Sequence, residues 1–441
     1  MTTATAPAPV SAPSTTPPPS PSRRYMSVDA LRGFDMFWII GADALVYALR
    51  RLTPSAPTKF LADQLEHSDW AGFHFYDLIF PLFVFMMGMS VVFSLRKLLA
   101  RGGRPEALKR IFRRSILLFI IALLYSGGFS HPWPNIRLMG VLNRIAIAYF
   151  FGALFFCFFK PRTLAAIFVS LLVGYWALMT FVPIRDIQLT RANVAELAAR
   201  DGDQQTAAYL RDPDSANPST VKNSPVWAET ERLFYATTNY VHGKYDKGYN
   251  LSDHLDFQYL PGKKWDTFFD PEGFLSTLPA IGTCLLGIFA GLLLVNENIP
   301  DRKKVAWLIA AGIISATLGW CWNLQFPVAK KIWTSSFVLV AGGYSALLLA
   351  GFYWLIEVRQ VRGWCQPFVW MGMNSITIYL ASNIIGGFRS LAGRFAGGDV
   401  RTYLDVHVSR GMGDLVISLV GLALAFAFVR FLYRRQIFLR L

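Results

Sequence analysis

The chain has 441 residues, 54% of them hydrophobic and 15% aromatic, and its mean hydropathy is +0.37. Stretches of about 20 apolar residues recur along it, each long enough to cross a bilayer as a helix, which excludes a soluble globular protein. The net charge is +15, but Lys and Arg collect in short segments between apolar stretches. That is the pattern of membrane orientation and not of a nucleic-acid surface.

In chain order, residues 1–24 are rich in Pro, Ala, Ser and Thr and have no apolar core. They read as a disordered cytoplasmic tail, not a secretory signal. Ten spans follow, near 28–49, 75–95, 113–127, 137–159, 163–183, 274–295, 305–323, 333–356, 367–387 and 412–432. An eleventh span within 388–411 is the alternative count, although that segment is polar. The predicted fold is an all-α integral membrane protein, a bundle of about ten transmembrane helices with a periplasmic insertion. The first five helices fall in 25–183, the insertion in 184–273 and the last five helices in 274–441.

Basic residues at 23–24, 96–114, 160–162, 301–304, 357–362 and 434–441 fall on one side of such a bundle. The positive-inside bias makes that side cytoplasmic, together with both termini. Lys330, Lys331, Arg389, Arg394, Arg401 and Arg410 fall on the opposite side as exceptions. Cys157, Cys284, Cys321 and Cys365 have no metal-like spacing, so they read as packing residues and no metal is expected.

The chemistry gathers at the mouth of the second span, in QLEHSDWAGFHFYDLIFPLFVFMMG. A titratable imidazole, His67, stands there with Asp69, Trp70 and Asp77, which makes it a candidate general base at a membrane surface. His74 competes for the role, and Asp77 has either His67 or Arg137 as its partner. In the first span, Asp29, Arg32 and Asp35 share one helix flank, an arrangement that suits an ion pair. Asp43, two turns beyond Asp35, is expected near His67. Asn143 and Arg144 lie inside the fourth span, where an Arg demands a partner. Asn374 and Ser375 lie inside the ninth, and Asp270 and Glu272 flank Pro271 at the start of the sixth. Together these residues predict a polar cavity through the bundle.

Six ordered motifs carry a family resemblance. LRGFDMFW, H-x-x-W-x-G-F-x-x-x-D-L-I-F-P-x-F-x-F-x-x-G, RLMGVLNRIAIAY, FDPEGFLSTLPAIGT, KIWTSSFVLVAGG and MGMNSITIYL resemble heparan-alpha-glucosaminide N-acetyltransferase and its bacterial relatives. The resemblance runs from about Ser27 to about Asn383 and fades in 184–260 and in the C-terminal tail. It implies a multi-span acyltransferase that takes acetyl-CoA from the cytosol and acetylates an amino sugar beyond the membrane. The family's catalytic His falls on His67, not His74. Its first-span helper, an Asn in the lysosomal enzyme, falls on Asp43, and that departure leaves the role of Asp43 open.

The expected assignment therefore has His67, Asp43 and Asp77 as catalytic residues. Arg113, Arg114, Asn143, Arg144, Asn374 and Ser375 hold acetyl-CoA, and Trp70, Asp270 and Glu272 meet the acceptor. That acceptor is a small amino sugar or a glycan end. Lipid surrounds the bundle, no nucleic acid is involved, the resemblance implies a homodimer, and the expected location is a bacterial inner membrane. The rival reading is a proton-coupled amino-sugar transporter with Asp35 and Asp43 as its proton relay.

Overall fold

The computed structural model describes residues 24–130, 132–212 and 225–439, so all but the last residue of the expected 1–24 tail lies outside the described residues. Among these, seven helices are long and apolar enough to cross a bilayer: Phe75–Arg101, Val141–Phe158, Pro161–Phe181, Thr277–Leu294, Asp301–Trp322, Ser335–Val358 and Met412–Arg434. They coincide with seven of the ten expected spans, and the all-α membrane architecture is borne out. The other three expected spans are helical but interrupted or highly charged. The 388–411 segment forms two nine-residue helices, Phe388–Ala396 and Asp399–His407. At about 1.5 Å per residue each is too short to cross, so there is no eleventh span there.

Each of the three exceptions has a local cause. The first span runs Met26–Phe37, passes through a π turn at Trp38–Ala42 where Gly41 has φ 122°, and resumes as Asp43–Leu52. The expected 113–127 span is the return limb of the helix Phe75–Tyr125, which bends back at Gly103 (φ 73°), just before Pro105. Left-handed backbone at Gly and a Pro in the first turn of the next helix are what such a reversal needs. The basic 96–114 stretch, expected as a loop, is mostly helical, as its Leu, Lys, Arg and Glu content favours. The expected 367–387 span is two helices, Gln366–Met373 and Ser375–Ile384, interrupted at Asn374 (φ −115°, ψ 22°). Broken helices persist in a membrane where they line a cavity.

Small residues let these helices meet backbone to backbone, as expected where lipid offers no hydrophobic drive between helices. A Cβ on Gly33 would lie 1.7 Å from the Phe368 carbonyl oxygen, and one on Gly372 would lie 1.9 Å from that of Asp29. The first helix and the broken helix are thereby locked together through reciprocal glycines. The insertion folds as a cap. Ile184–Arg185 and Tyr240–Val241 pair antiparallel, and Arg191–Arg200, Gln204–Arg211, Pro225–Ala236 and Leu251–Tyr259 are helices. Phe234, Phe257, Phe268 and Phe269 centre its own apolar cluster.

Candidate active site

His67 and Asp77 meet because the chain between them is a tight turn closed by the helix it precedes. Asp77 lies in the first turn of the helix that starts at Phe75, and its Oδ2 accepts the backbone N–H groups of His74 (3.0 Å) and Ser68 (3.2 Å). Its Oδ1 lies 2.9 Å from His67 Nδ1. The carboxylate is fully buried while the imidazole is half exposed, so Asp77 is closed to solvent and holds the ring by its Nδ1. A carboxylate on Nδ1 selects the tautomer with the proton there and leaves Nε2 free to take one. The ring also packs on Tyr76, with centroids 4.9 Å apart. His74 is tied instead to the Glu66 carbonyl at 3.0 Å.

A second group reaches His67 from the other half of the chain. Lys330 Nζ lies 3.0 Å from His67 Nδ1, 3.4 Å from Nε2 and 3.5 Å from Asp77 Oδ1. Its loop is built to hold it there. The Gly72 N–H donates to the Val328 carbonyl at 2.8 Å, joining this loop to the His67 turn. Trp333, fully buried, adopts a left-handed φ of 49° and donates its indole N–H to Thr283 at 3.1 Å. A left-handed bulky residue costs of order 1–3 kcal/mol and persists only where its surroundings over-determine it. Burial pulls the Lys330 ammonium below its ordinary value, and the Asp77 carboxylate works against that pull.

Both groups line one end of a cavity of about 490 Å³ that also takes in Glu272 and Tyr379. Arg137 bridges Glu272 (2.7 Å) and Asp270 (2.8 and 2.7 Å). Asp270 is buried behind this pair, and burial pushes its carboxyl up against the pull of Arg137. The other end of the cavity is lined by Arg32, Ser90, Arg110 and Arg114. From Tyr76 to Ser90 the lining helix rises about 21 Å, most of a hydrocarbon core of about 30 Å. Arg32 donates to Ser90 at 2.8 Å and faces Asp29 at 3.5 Å, the ion pair its spacing predicts. Arg114 stacks on Tyr149, 4.6 Å from the ring centre, and its Nε has no hydrogen-bond partner among the described residues. Asn374 and Ser375, at the break in their helix, line the middle, and Asn374 Oδ1 is likewise buried and unpartnered.

Several expected site residues stand elsewhere. Asp43, just past the π turn at Trp38–Ala42, makes no hydrogen bond to His67 and is not among the lining residues, but it lies within electrostatic reach of Tyr76, on whose ring His67 packs. Asp35 is fully buried with neither oxygen hydrogen-bonded among the described residues, and it too is absent from the lining, so the pair on which transport rested is not in the cavity. Trp70 is spent on the cap: its indole N–H donates to the Tyr245 carbonyl at 2.7 Å and its ring meets Phe269 edge-on. Arg144 is fully buried and donates to the Pro271 carbonyl (2.8 Å) and Ser276 Oγ (2.5 Å), with Trp333 against its guanidinium. It holds the turn that carries Glu272. Asn143 is buried beside it, off the cavity, and Arg113 is exposed on the outside. Arg32, Arg110 and Lys330 are the lining cations the expected assignment lacks. For Lys330 the available signal was its status as a basic residue on the disfavoured side.

Residues 24–198 match the model of a family described as Heparan-alpha-glucosaminide N-acetyltransferase, catalytic. Relatives named heparan-alpha-glucosaminide N-acetyltransferase include one from Mus musculus, 26% identical over 390 residues, which are 85% of this chain and 56% of the relative. Another, from Homo sapiens, is 26% identical over 340 residues, 73% of this chain and 49% of the relative. The chain spans about half the length of the curated relatives it matches. The family resemblance carried by the motifs is thus borne out. The matched segment includes His67, Asp77 and Arg114 and reaches past the start of the cap.

Proposed function

We propose, for a chain similar to the heparan-alpha-glucosaminide N-acetyltransferases, that it transfers acetyl from cytosolic acetyl-CoA to an amino sugar or glycan end across the membrane. The observation that carries this reading is one cavity with cations at one end and the His67–Asp77 pair at the other. Arg32, Arg110 and Arg114 suit the phosphates of the donor, whose charge such a cluster attracts. The unpartnered Asn374 oxygen offers an acceptor to an amide N–H of the donor's arm. Glu272, oriented by Arg137, offers a carboxylate to the acceptor's ammonium or hydroxyls.

His67 is the general base. With Nδ1–H directed at Asp77, its Nε2 takes the proton of the attacking amine or hydroxyl, a contribution typically worth about 10²–10⁴-fold. Asp77 stabilises the imidazolium as it forms. The cap, gripping the catalytic turn through Trp70, keeps the base registered against the cavity mouth. We place the protein in a bacterial inner membrane with its arginine-lined cavity end toward the cytoplasm.

Incubation of purified protein with radiolabelled acetyl-CoA and glucosamine tests the reading. Label in the sugar, lost in His67→Ala, is the expected result. A folded His67→Ala protein with full activity, or sugar uptake into vesicles without any transfer, rules it out.

A further inference from the structure

We propose that Lys330 is a catalytic residue of this transfer: its ammonium receives the negative charge that forms on the thioester oxygen during attack. The inference rests on the acetyl-transfer reading above and adds to it the group that stabilises the transition state.

Three observations carry it. First, Lys330 lines the cavity at the His67 end, where the neighbouring charged groups are carboxylates. Asp77 is 3.5 Å away and Glu272 shares the lining, while the adjacent cation Lys331 faces Asp266 at 3.7 Å and Arg137 is engaged by Asp270 and Glu272. Second, His67 and Asp77 do not use all of its protons. The tautomer that Asp77 selects carries a proton on Nδ1, so the 3.0 Å approach of Nζ to Nδ1 finds no lone pair there. An ammonium has three donors; the contacts to Asp77 Oδ1 and to the Nε2 lone pair use at most two, which leaves one for the thioester oxygen. Third, Nζ lies 3.4 Å from Nε2, so base and ammonium can touch two substituents of the same carbon. Pre-oriented charge at a developing oxyanion is often the largest single contribution to catalysis.

The step balances with the groups at hand. The amine lone pair forms the C–N bond while the carbonyl π pair moves onto oxygen, opposite Lys330. His67 Nε2 removes the amine proton. The oxygen pair then re-forms the C=O bond as the C–S bond breaks, and the departing thiolate takes the proton from the imidazolium. An amide and a free thiol result, and Lys330 is unchanged.

The alternative role for Lys330 is purely structural, as counter-charge to buried Asp77, and the test separates the two. Transfer to glucosamine is measured for the unaltered chain, Lys330→Met and Lys330→Arg. Donor binding is followed separately with a thioether analogue of acetyl-CoA that has no carbonyl. Lys330→Met should lose about 10²–10³-fold in kcat while binding the analogue within about threefold of the unaltered chain, and Lys330→Arg should recover most of the loss. After incubation with acetyl-CoA and no acceptor, mass spectrometry should find Lys330 unmodified. If Lys330→Met does not fold, Lys330→Gln carries the same comparison. Undiminished kcat in the folded variant, analogue binding that falls as far as the rate, or stoichiometric acetylation of Lys330 each overturns the inference. No transfer by the unaltered chain overturns it together with the acetyl-transfer reading, whereas transfer indifferent to Lys330→Met overturns it alone.

Discussion

The imidazole of His67 and the carboxylate of Asp77 share one contact, Nδ1 to Oδ1 at 2.9 Å, and only the imidazole is open to the cavity. The acid therefore acts through the ring and not on substrate. Asp77→Asn keeps an oxygen for the Ser68 and His74 N–H groups but ceases to enforce the tautomer. We expect kcat to fall by about 10²–10⁴-fold, as when a triad acid is replaced, with donor binding unchanged. Steady-state kinetics beside a thermal melt check this, and a variant with near-normal kcat would remove Asp77 from the mechanism.

The arginines divide by position. Arg114 lines the cavity, Arg113 lies outside it, and Arg144 is locked to Pro271 and Ser276. Charge-assisted hydrogen bonds are worth about 1.5–3 kcal/mol, so Arg114→Gln should raise the donor KM by about tenfold or more at nearly constant kcat. Arg113→Gln should leave KM within about twofold. Arg144→Met should show itself first as a lowered melting temperature, because it frees the turn that carries Glu272. Measuring KM and Tm for all three variants decides the assignment.

Much of this site was legible in the chain because its pieces are local. His67 and Asp77 are ten residues apart, so one turn and one helix start bring them together, and the seven uninterrupted spans announced themselves by length and hydropathy. What escaped was non-local or depended on broken periodicity. Lys330 meets His67 across 263 positions, a relationship no local pattern encodes. The π turn at Trp38–Ala42, between Asp35 and Asp43, has no signal in the helical spacing. Trp70 and Arg144 carry the residue types of a binding site, yet their partners in the cap and in the 271–276 turn make them scaffold.

The grip of Trp70 on the cap is itself testable. Trp70→Ala removes the hydrogen bond to Tyr245 and a large aromatic surface, a change that costs about 3–5 kcal/mol for a buried aromatic and somewhat less at this half-buried position. The cap should become protease-sensitive while the membrane helices stay intact. Trp70→Phe keeps an aromatic ring but loses the hydrogen bond, about 1 kcal/mol, and part of the packing on Phe269. Limited proteolysis distinguishes these outcomes from a freely exposed Trp70, for which neither variant would differ from the parent.

The cap also carries a pH signature. Burial pushes Asp256 up to about 7 and Asp253 up as well, and pulls His254 down to about 4. A raised acid binds its proton more tightly in the folded state, so its contribution declines as pH rises from about 4 to about 7. A depressed His works the other way, its contribution growing as pH rises from about 4 to about 6.5. The acids outnumber the His, so cap stability should fall across this window. Asp256→Asn should flatten the slope and His254→Gln should steepen it, each by at most about 1.4 kcal/mol per pH unit. Melts followed by Trp fluorescence between pH 4 and 7 check the signs, and a slope that steepens in Asp256→Asn would contradict them.

The central claim is that donor and acceptor enter one cavity from opposite faces of the membrane and meet at His67. Proteoliposomes with known protein orientation, acetyl-CoA on the side of Arg32 and Arg114, and labelled glucosamine on the side of His67 measure this directly. The account predicts N-acetylglucosamine only on the His67 side, none when donor and acceptor are confined to either single side, and none with His67→Ala. Product formed with both substrates on one side, or formed equally by His67→Ala, would contradict it.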